Sequence, residues 1–519
     1  MIDTKLLRQK ILDLAIRGKL VKQDPNDEPA SILLERIRTE KERLVKEGKI
    51  KKDKVESFIF KGSDNRHYEN VGGKITDIEN DIPFEVPEGW AWCRIIETMD
   101  YVQRGKSPVY SPIKQYPVLA QKCNQWDGIA LEKVLFLDPT TITKYTEDRF
   151  LKNGDIVINS TGTGTLGRIG IFFDTILQGY SCLVADSHIT VLRSNSLIDP
   201  KYIFYFLRSA YQQEIIVDKS AGCTNQQELY IDTIRTFLIP LPPRQEQKNI
   251  INAIESAFAI VIYIEQEELS LTKIARQAKS KILDLAIRGK LVKQDPNDEP
   301  ASVLLERIRT ERAISSKGKR ADSSSHKSHY QKIEFNEQKL FDLPDSWCWC
   351  RLGELVSLIS GVSYDKRDIS KDGIRILRGG NIQNGKILFA NDDVFLPSKY
   401  ANNENTIAKD DIIIVASTGS DTVIGKVGFV TESFLDVQIG AFLRIIRPTF
   451  SWVSGYLNLI FKSDFYTKYI RNKAKGTNIN NIKTNHLMDF FIPLPPIAEQ
   501  NRIKAIVNQL LDEIAYLSE

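Results

Sequence analysis

The 519-residue chain is 42% hydrophobic with a net charge of only +4. At roughly 150 residues per domain this predicts about three or four packed units, and it excludes a globally polycationic nucleic-acid binder, though not a local basic face. There is no run of 18 apolar residues and no apolar signal-like segment at the start, so a cytoplasmic chain with no membrane partner is expected.

The opening residues form a charged amphipathic pattern that predicts a helix, followed by the turn signal Asp24-Pro25-Asn26 and a second helix over Ala30–Lys46. The segment Lys10–Glu40 then recurs at Lys281–Glu311 with a single change, Ile32 to Val303, so the chain is an internal duplication of a large module. Further pairs follow in the same order. FEVPEGWAWCRI (84–95) matches FDLPDSWCWCRL (341–352), and residues 118–128 match 375–385 loosely, with Asn124 set against Asn381. Residues 153–172 match 409–430, and 222–247 match 476–500. The matched segments are rich in Val, Ile, Phe, Tyr and Thr in short runs, with strands expected at Asp155–Asn159 and Asp411–Val415 and short helices at Tyr202–Arg208 and Tyr456–Phe461.

Between the copies, Pro242-Pro243 announces a long helix expected over Gln245–Leu291. Its apolar positions Ile250, Ile254 and Val261 belong to a 4–3 seam, repeated near the C-terminus by Ile503, Val507, Leu510 and Ile514, so the last helix is expected to pair with the central one. A second helix is expected at Ala301–Arg312. The resulting expectation is an α+β fold: two β-rich recognition domains joined by long antiparallel coiled-coil-like helices, with an internal pseudo-two-fold duplication. The divisions are 1–83 (helical), 84–243 (β-rich), 244–340 (helical, with a mobile polar linker at 315–332), 341–496 (β-rich) and 497–519 (terminal helix).

Few motifs suggest catalysis. Gly162–Gly167 satisfies GxGxxG, but the following residues read as strand and the second copy lacks the pattern, so a glycine-rich hairpin is the better reading. There is no GxxxxGK[ST], no [DNS]PP[YF] and no convincing nuclease carboxylate–lysine set. The six cysteines form no CxxC pair, so no metal site is expected. His188 and His486 stand isolated, with no evident nucleophile. No catalytic residue is assigned.

Three motifs, KILDLAIRGKLVKQDPNDEPASxLLERI, STG…GRIG/GKVG and TN…IPLPPxxEQ, resemble those of type I restriction–modification specificity subunits, over nearly the whole chain and in both halves. The N-terminal KILDLAIRGKL most resembles the subgroup carrying that segment. The resemblance implies a non-catalytic DNA-specificity subunit whose two domains each read half of a split double-stranded DNA site. The helices would fix the spacing and dock two methyltransferase subunits, with restriction subunits added; S-adenosylmethionine, ATP and Mg would belong to those partners. A duplicated coiled-coil scaffold that binds only proteins is the alternative, and a methylation-only assembly is a variant of the first reading. Base readers are expected where the copies diverge, roughly Gln103–Lys122 with Gln125 and Trp126, and Ser360–Arg378 with Gln383; the candidates are Arg104, Lys106, Gln125, Lys366, Arg367, Arg378 and Gln383, each equally readable as a plain surface residue. Arg168 and Lys426 could touch phosphate or be simply solvated. Asn225, Gln226, Asn478 and Asn480, in a shared Thr-Asn loop, fit backbone contact.

Overall fold

A computed structural model describes residues 2–52, 57–162, 164–220, 227–317, 340–474 and 480–518. The chain divides into two compact units, Ile2–Glu267 and Glu268–Glu519. The boundary falls inside a 44-residue helix, Arg244–Ile287. That helix stops before the expected Leu291 for a local reason. Gly289 takes φ +65°, and the Lys290 amide closes the end on the Leu285 carbonyl at 2.9 Å. The first helix, Thr4–Ile16, is capped by Asp3 and ends in the same way at Gly18 (φ +65°), with Lys19 bonding Leu14 at 2.8 Å. A Cβ at either glycine would strike proline, Pro87 at 2.3 Å or Pro344 at 2.4 Å, so helix end and globular segment lock together in both units.

Each unit carries the same four-stranded antiparallel sheet. In the N-terminal unit the order is Met99–Arg104, Ile189–Ser194, Ile156–Asn159, Ile169–Ile171. In the C-terminal unit it is Val356–Ser360, Leu443–Pro448, Ile412–Val415, Val427–Phe429. Strands Ile156–Asn159 and Ile412–Val415 are buried along their whole length, which explains their unbroken apolar runs. A second sheet places Val184–Ala185 parallel to Tyr116–Leu119, and Val437–Ile439 parallel to Ile374–Leu377. Helix pairs follow each large sheet: Pro200–Arg208 and Ala210–Asp218, then Ser451–Lys462 and Asp464–Ala474. The GxGxxG segment is a connection between antiparallel strands, with strand rather than helix after it. The fold is α+β and duplicated.

The duplication extends to buried polar contacts. Trp90 Nε1 donates to Glu246 at 2.9 Å and Trp347 Nε1 to Glu499 at 2.9 Å. Gln23 and Gln294 donate to the other oxygens of those carboxylates, at 3.0 and 2.6 Å. Arg193 forks Asp155, and Arg447 forks Asp411.

Ile11, Leu12, Ala15 and Ile16 share a core with Ile250, Ile254 and Val261. Leu283, Ala286 and Ile287 share another with Ile503 and Val507. Leu511, rather than Leu510, packs against that second core; Leu510 and Ile514 are half-buried.

Two expectations need correction. Residues 1–83 are not helical throughout: Ser57–Lys61, His67–Val71 and Lys74–Asp77 form a three-stranded antiparallel sheet. Its last hairpin turns on Gly72-Gly73, a strong two-residue turn, and Glu69 ties it to Arg94 of the next strand at 2.7 and 3.0 Å. The helix starting at Ala301 runs to Lys317, past the expected Arg312 and into the polar tract. Beyond Lys317 that tract lies outside the described residues.

Candidate nucleic-acid interface

In the N-terminal unit several candidate side chains converge around the ends of the buried strands. Arg104 ends the edge strand and pairs with Glu228 at 2.5 Å, also donating to the Leu229 carbonyl at 3.0 Å. Gln125 sits in the tight Asn124–Ile129 hairpin; it donates to the Lys122 carbonyl at 2.6 Å and accepts from Arg168 at 2.8 Å. Arg168 also donates to Gly164, while its Nε is buried without a partner. Lys106 bonds the Lys144 carbonyl at 2.7 Å and lies over Tyr145. The structure thus brings Gln125 and Arg168 together and gives each of these cations an intramolecular partner. Among the described residues no direct bond joins Arg104 or Lys106 to that pair.

In the C-terminal unit Arg378 reaches Asp392 at 3.1 Å and its carbonyl at 2.7 Å. Arg367 pairs with Asp365 of its own turn. Gln383 donates to Gly380 at 2.9 Å, and Lys366 and Lys426 are exposed. Such exposed ion pairs contribute only about 0–1 kcal/mol, so a phosphate or guanine can replace the carboxylate partner at little cost. Asn480 pairs with Thr418 through the backbone. Asn225, Gln226 and Asn478 lie outside the described residues.

The backbone bonds change the register of the comparison between copies. Ala130 N bonds the Cys123 carbonyl, and Leu388 N bonds the Asn381 carbonyl, so Asn381 corresponds to Cys123 and not to Asn124. Gln125 then corresponds to Gln383, and both make the same bond to the carbonyl three residues back. By the divergence argument these two glutamines belong to the frame. The amide of Asn124 instead turns inward to Asn159 and the Arg168 carbonyl.

Sequence reasoning passed over one group. His188 is exposed, with Nδ1 2.7 Å from the Thr161 hydroxyl, which in turn accepts from Gln121 at 2.5 Å. The neighbouring Asp186 carboxyl is pushed up by burial and accepts from the His188 amide at 2.8 Å. Trp126, also exposed, is backed by Arg208, which donates to its carbonyl and faces its ring at 5.7 Å. Burial lowers the pKa of that guanidinium. A comparison of the copies by strand register, rather than by residue identity, would have exposed the histidine; Trp126 already stood beside Gln125 in the divergent segment. Among the described residues no cluster of three or more metal-ligating side chains occurs, and no helix is long and apolar enough to cross a membrane.

The family model for the type I restriction modification DNA specificity domain matches twice, at residues 98–272 and 344–518. The chain belongs to that family. DNA specificity is therefore its function, in place of a scaffold that binds only proteins. It is 28% identical to the EcoAI specificity subunit of Escherichia coli, across 98% of this chain and 89% of that one. It is 34% identical to the EcoKI specificity subunit of Escherichia coli K12, across 33% of this chain and 38% of that one. A solved chain described with the complex assembly and conformational transition of the type I R-M system aligns with TM-score 0.53 at 19% identity, covering 84% of this chain and 93% of that one. The shared fold is what this last likeness carries.

Proposed function

We propose that each unit reads one half of a bipartite double-stranded DNA site and that the helices set the spacing between the halves. The observation behind this is the repeated frame: the same order in the large four-stranded sheet and the matched Trp–Glu contacts present different side chains in the two units. The chain is non-catalytic in this reading. It docks two methyltransferase subunits and, where present, restriction subunits; S-adenosylmethionine, ATP and Mg serve those partners. The large exposed apolar residues Ile260 and Tyr263, three positions apart on the long helix, support protein docking there. The setting is the cytoplasm, and the KILDLAIRGKL segment supports membership of the subgroup that carries it at the N-terminus.

The test is an exchange of residues 96–235 for the same region of a relative, with methylome sequencing as the readout. One half of the recognised site should change. A change in both halves, or in neither, rejects the modular reading.

A further inference from the structure

The turn after the parallel strand of the second sheet is built identically in both units. In the N-terminal unit Asp186 N bonds Leu119 O at 3.0 Å, Ile189 N bonds Asp186 O at 3.1 Å, and Ser160 N bonds His188 O at 2.9 Å. In the C-terminal unit Gly440 N bonds Leu377 O at 2.9 Å, Leu443 N bonds Gly440 O at 2.9 Å, and Ala416 N bonds Phe442 O at 2.8 Å. A glycine on the neighbouring segment allows each turn its close approach. A Cβ on Gly105 would sit 2.2 Å from the Ala185 and Asp186 carbonyl oxygens, and one on Gly361 would sit 2.1 Å from that of Gly440. These bonds superpose His188 on Phe442. The frame is the same, and the displayed side chain is an imidazole in one unit and a phenyl ring in the other.

Both side chains face outward. Phe442 is 67% exposed, a large apolar surface for a residue held on a rigid turn. His188 is exposed as well, and its hydrogen-bond sense is set from behind. Gln121 Nε2 donates to the Thr161 carbonyl at 2.8 Å, an acceptor only, which fixes the amide orientation. The same Nε2 donates to the Thr161 hydroxyl, leaving that hydroxyl's proton for His188 Nδ1. The neutral ring then carries its proton on Nε2, which has no partner among the described residues. The C-terminal unit cannot build this relay: Ser417 occupies the Thr161 position, and Gly379 that of Gln121.

We propose that His188 and Phe442 are specificity-determining residues of the two half-sites. His188 donates from Nε2 to an acceptor on a base edge, and Phe442 packs on the C5-methyl of thymine; Thr161 and Gln121 are positioning residues for His188. The inference rests on the reading that each unit contacts DNA. It adds the positions that make the two contacts differ. A donor and a phenyl ring at one position of a common frame discriminate between bases by different chemistry, as two unlike half-sites require.

The experiment uses the full chain co-assembled with its methyltransferase subunit and a duplex library randomised across both half-sites, with methylated molecules sequenced. His188→Phe should change preference at one or two adjacent positions of one half-site, by about tenfold or more, and leave the other half unchanged. Phe442→His should do the converse. Thr161→Val, which keeps the ring but removes the hydroxyl relay, should relax preference at the same position as His188→Phe. Wild-type preference in all three variants overturns the proposal, and so does a uniform loss of binding with unchanged preference, which marks a phosphate or frame role. Amide-exchange protection of the large sheets confirms folding, and Thr161→Val stands as the second variant should His188→Phe fail to assemble. The 96–235 exchange run alongside separates the two failures: if it leaves both half-sites unchanged, the DNA-reading assignment has failed; if it switches one half-site while His188→Phe does not, only this inference has.

Discussion

The two units treat one buried glutamate in opposite ways. Glu97 and Glu354 occupy the same place, each accepting from a backbone amide three residues earlier, Arg94 at 2.8 Å and Arg351 at 2.9 Å. In the C-terminal unit Arg309 also donates to Glu354, at 2.8 Å. Its counterpart Arg38 turns away, lying over the Phe58 ring at 4.5 Å with its Nε buried and unpaired. Glu97 Oε2 is left without a partner, and burial pushes its carboxyl up to about 7. The three-stranded sheet that supplies Phe58 therefore has an electrostatic consequence: the guanidinium stacked on it does not hydrogen-bond the carboxylate, although its charge still acts to lower that group's pKa. Identical sequence in the helix, as between Arg38 and Arg309, does not guarantee identical pairing when the neighbouring surface differs.

The largest effect expected from this difference is in pH dependence. A carboxyl whose pKa is raised on folding binds its proton more tightly in the native state, so stability is greatest in acid and falls as pH rises from about 4.5 to about 7. The full swing is about 3 kcal/mol at about 1.4 kcal/mol per pH unit. Glu97→Gln should remove that part of the decline, flattening the stability profile of the N-terminal unit between pH 5 and 7.5. Hydrogen exchange on the strands of each unit, read by mass spectrometry, localises the change. An unaltered slope in the variant would reject the unpaired state of Glu97.

The next effect tests the paired copy. Arg309→Leu should destabilise the C-terminal unit by about 2–3 kcal/mol, below the 3–5 kcal/mol of a fully buried pair because the Arg309 side chain is 45% exposed. Arg38→Leu removes a cation–π contact and should cost only about 1 kcal/mol in the N-terminal unit. Equal losses would show that the two arginines play the same part after all.

Much of this molecule could be read from its sequence, for identifiable reasons. The helices were visible through their apolar periodicity and the Pro242-Pro243 start signal, but the stop at Gly289 was not, so the long helix was carried on to Leu291. The duplication was visible because buried contacts such as Trp90–Glu246 demand the same residues twice. The sheet at 57–77 was missed because its counterpart falls in the polar tract, so no repeat drew attention to it. The match of Asn124 to Asn381 was one residue out because strand register follows backbone bonding, and the two amides serve different partners. His188 looked isolated because its partner Thr161 lies 27 residues away and its equivalent, Phe442, shares none of its chemistry. Of the DNA-facing candidates, residue type could nominate the cations but not their ion-pair partners: Glu228 is 124 residues from Arg104.

The smallest expected effect transplants a contact from one copy to the other. In the C-terminal unit Arg502 pairs with Asp298 at 2.5 Å, and Asp298 is nearly buried. The corresponding residues of the N-terminal unit are Asn249 and Asp27. Asp27 stands close enough to Glu246 to raise its carboxyl, as Asp298 does Glu499, so the two aspartates are placed alike. Asn249 is exposed and, among the described residues, its side chain is engaged by Gln245 alone, across one helical turn at 3.3 Å. Asn249→Arg should therefore rebuild the pair without disturbing the core. The stabilisation expected is about 0.5–1 kcal/mol, the range of a half-exposed ion pair, and it should shrink in high salt. In the reciprocal variant, Arg502→Asn, the C-terminal unit should lose a similar amount or slightly more, because the nearly buried Asp298 carboxylate loses its cation. Urea denaturation of both variants at low and high salt, resolved by hydrogen exchange, measures the pair of changes. A neutral Asn249→Arg beside a costly Arg502→Asn would mean that the aspartates are not equivalently placed, and that the frame shared by the two units stops short of this helix face.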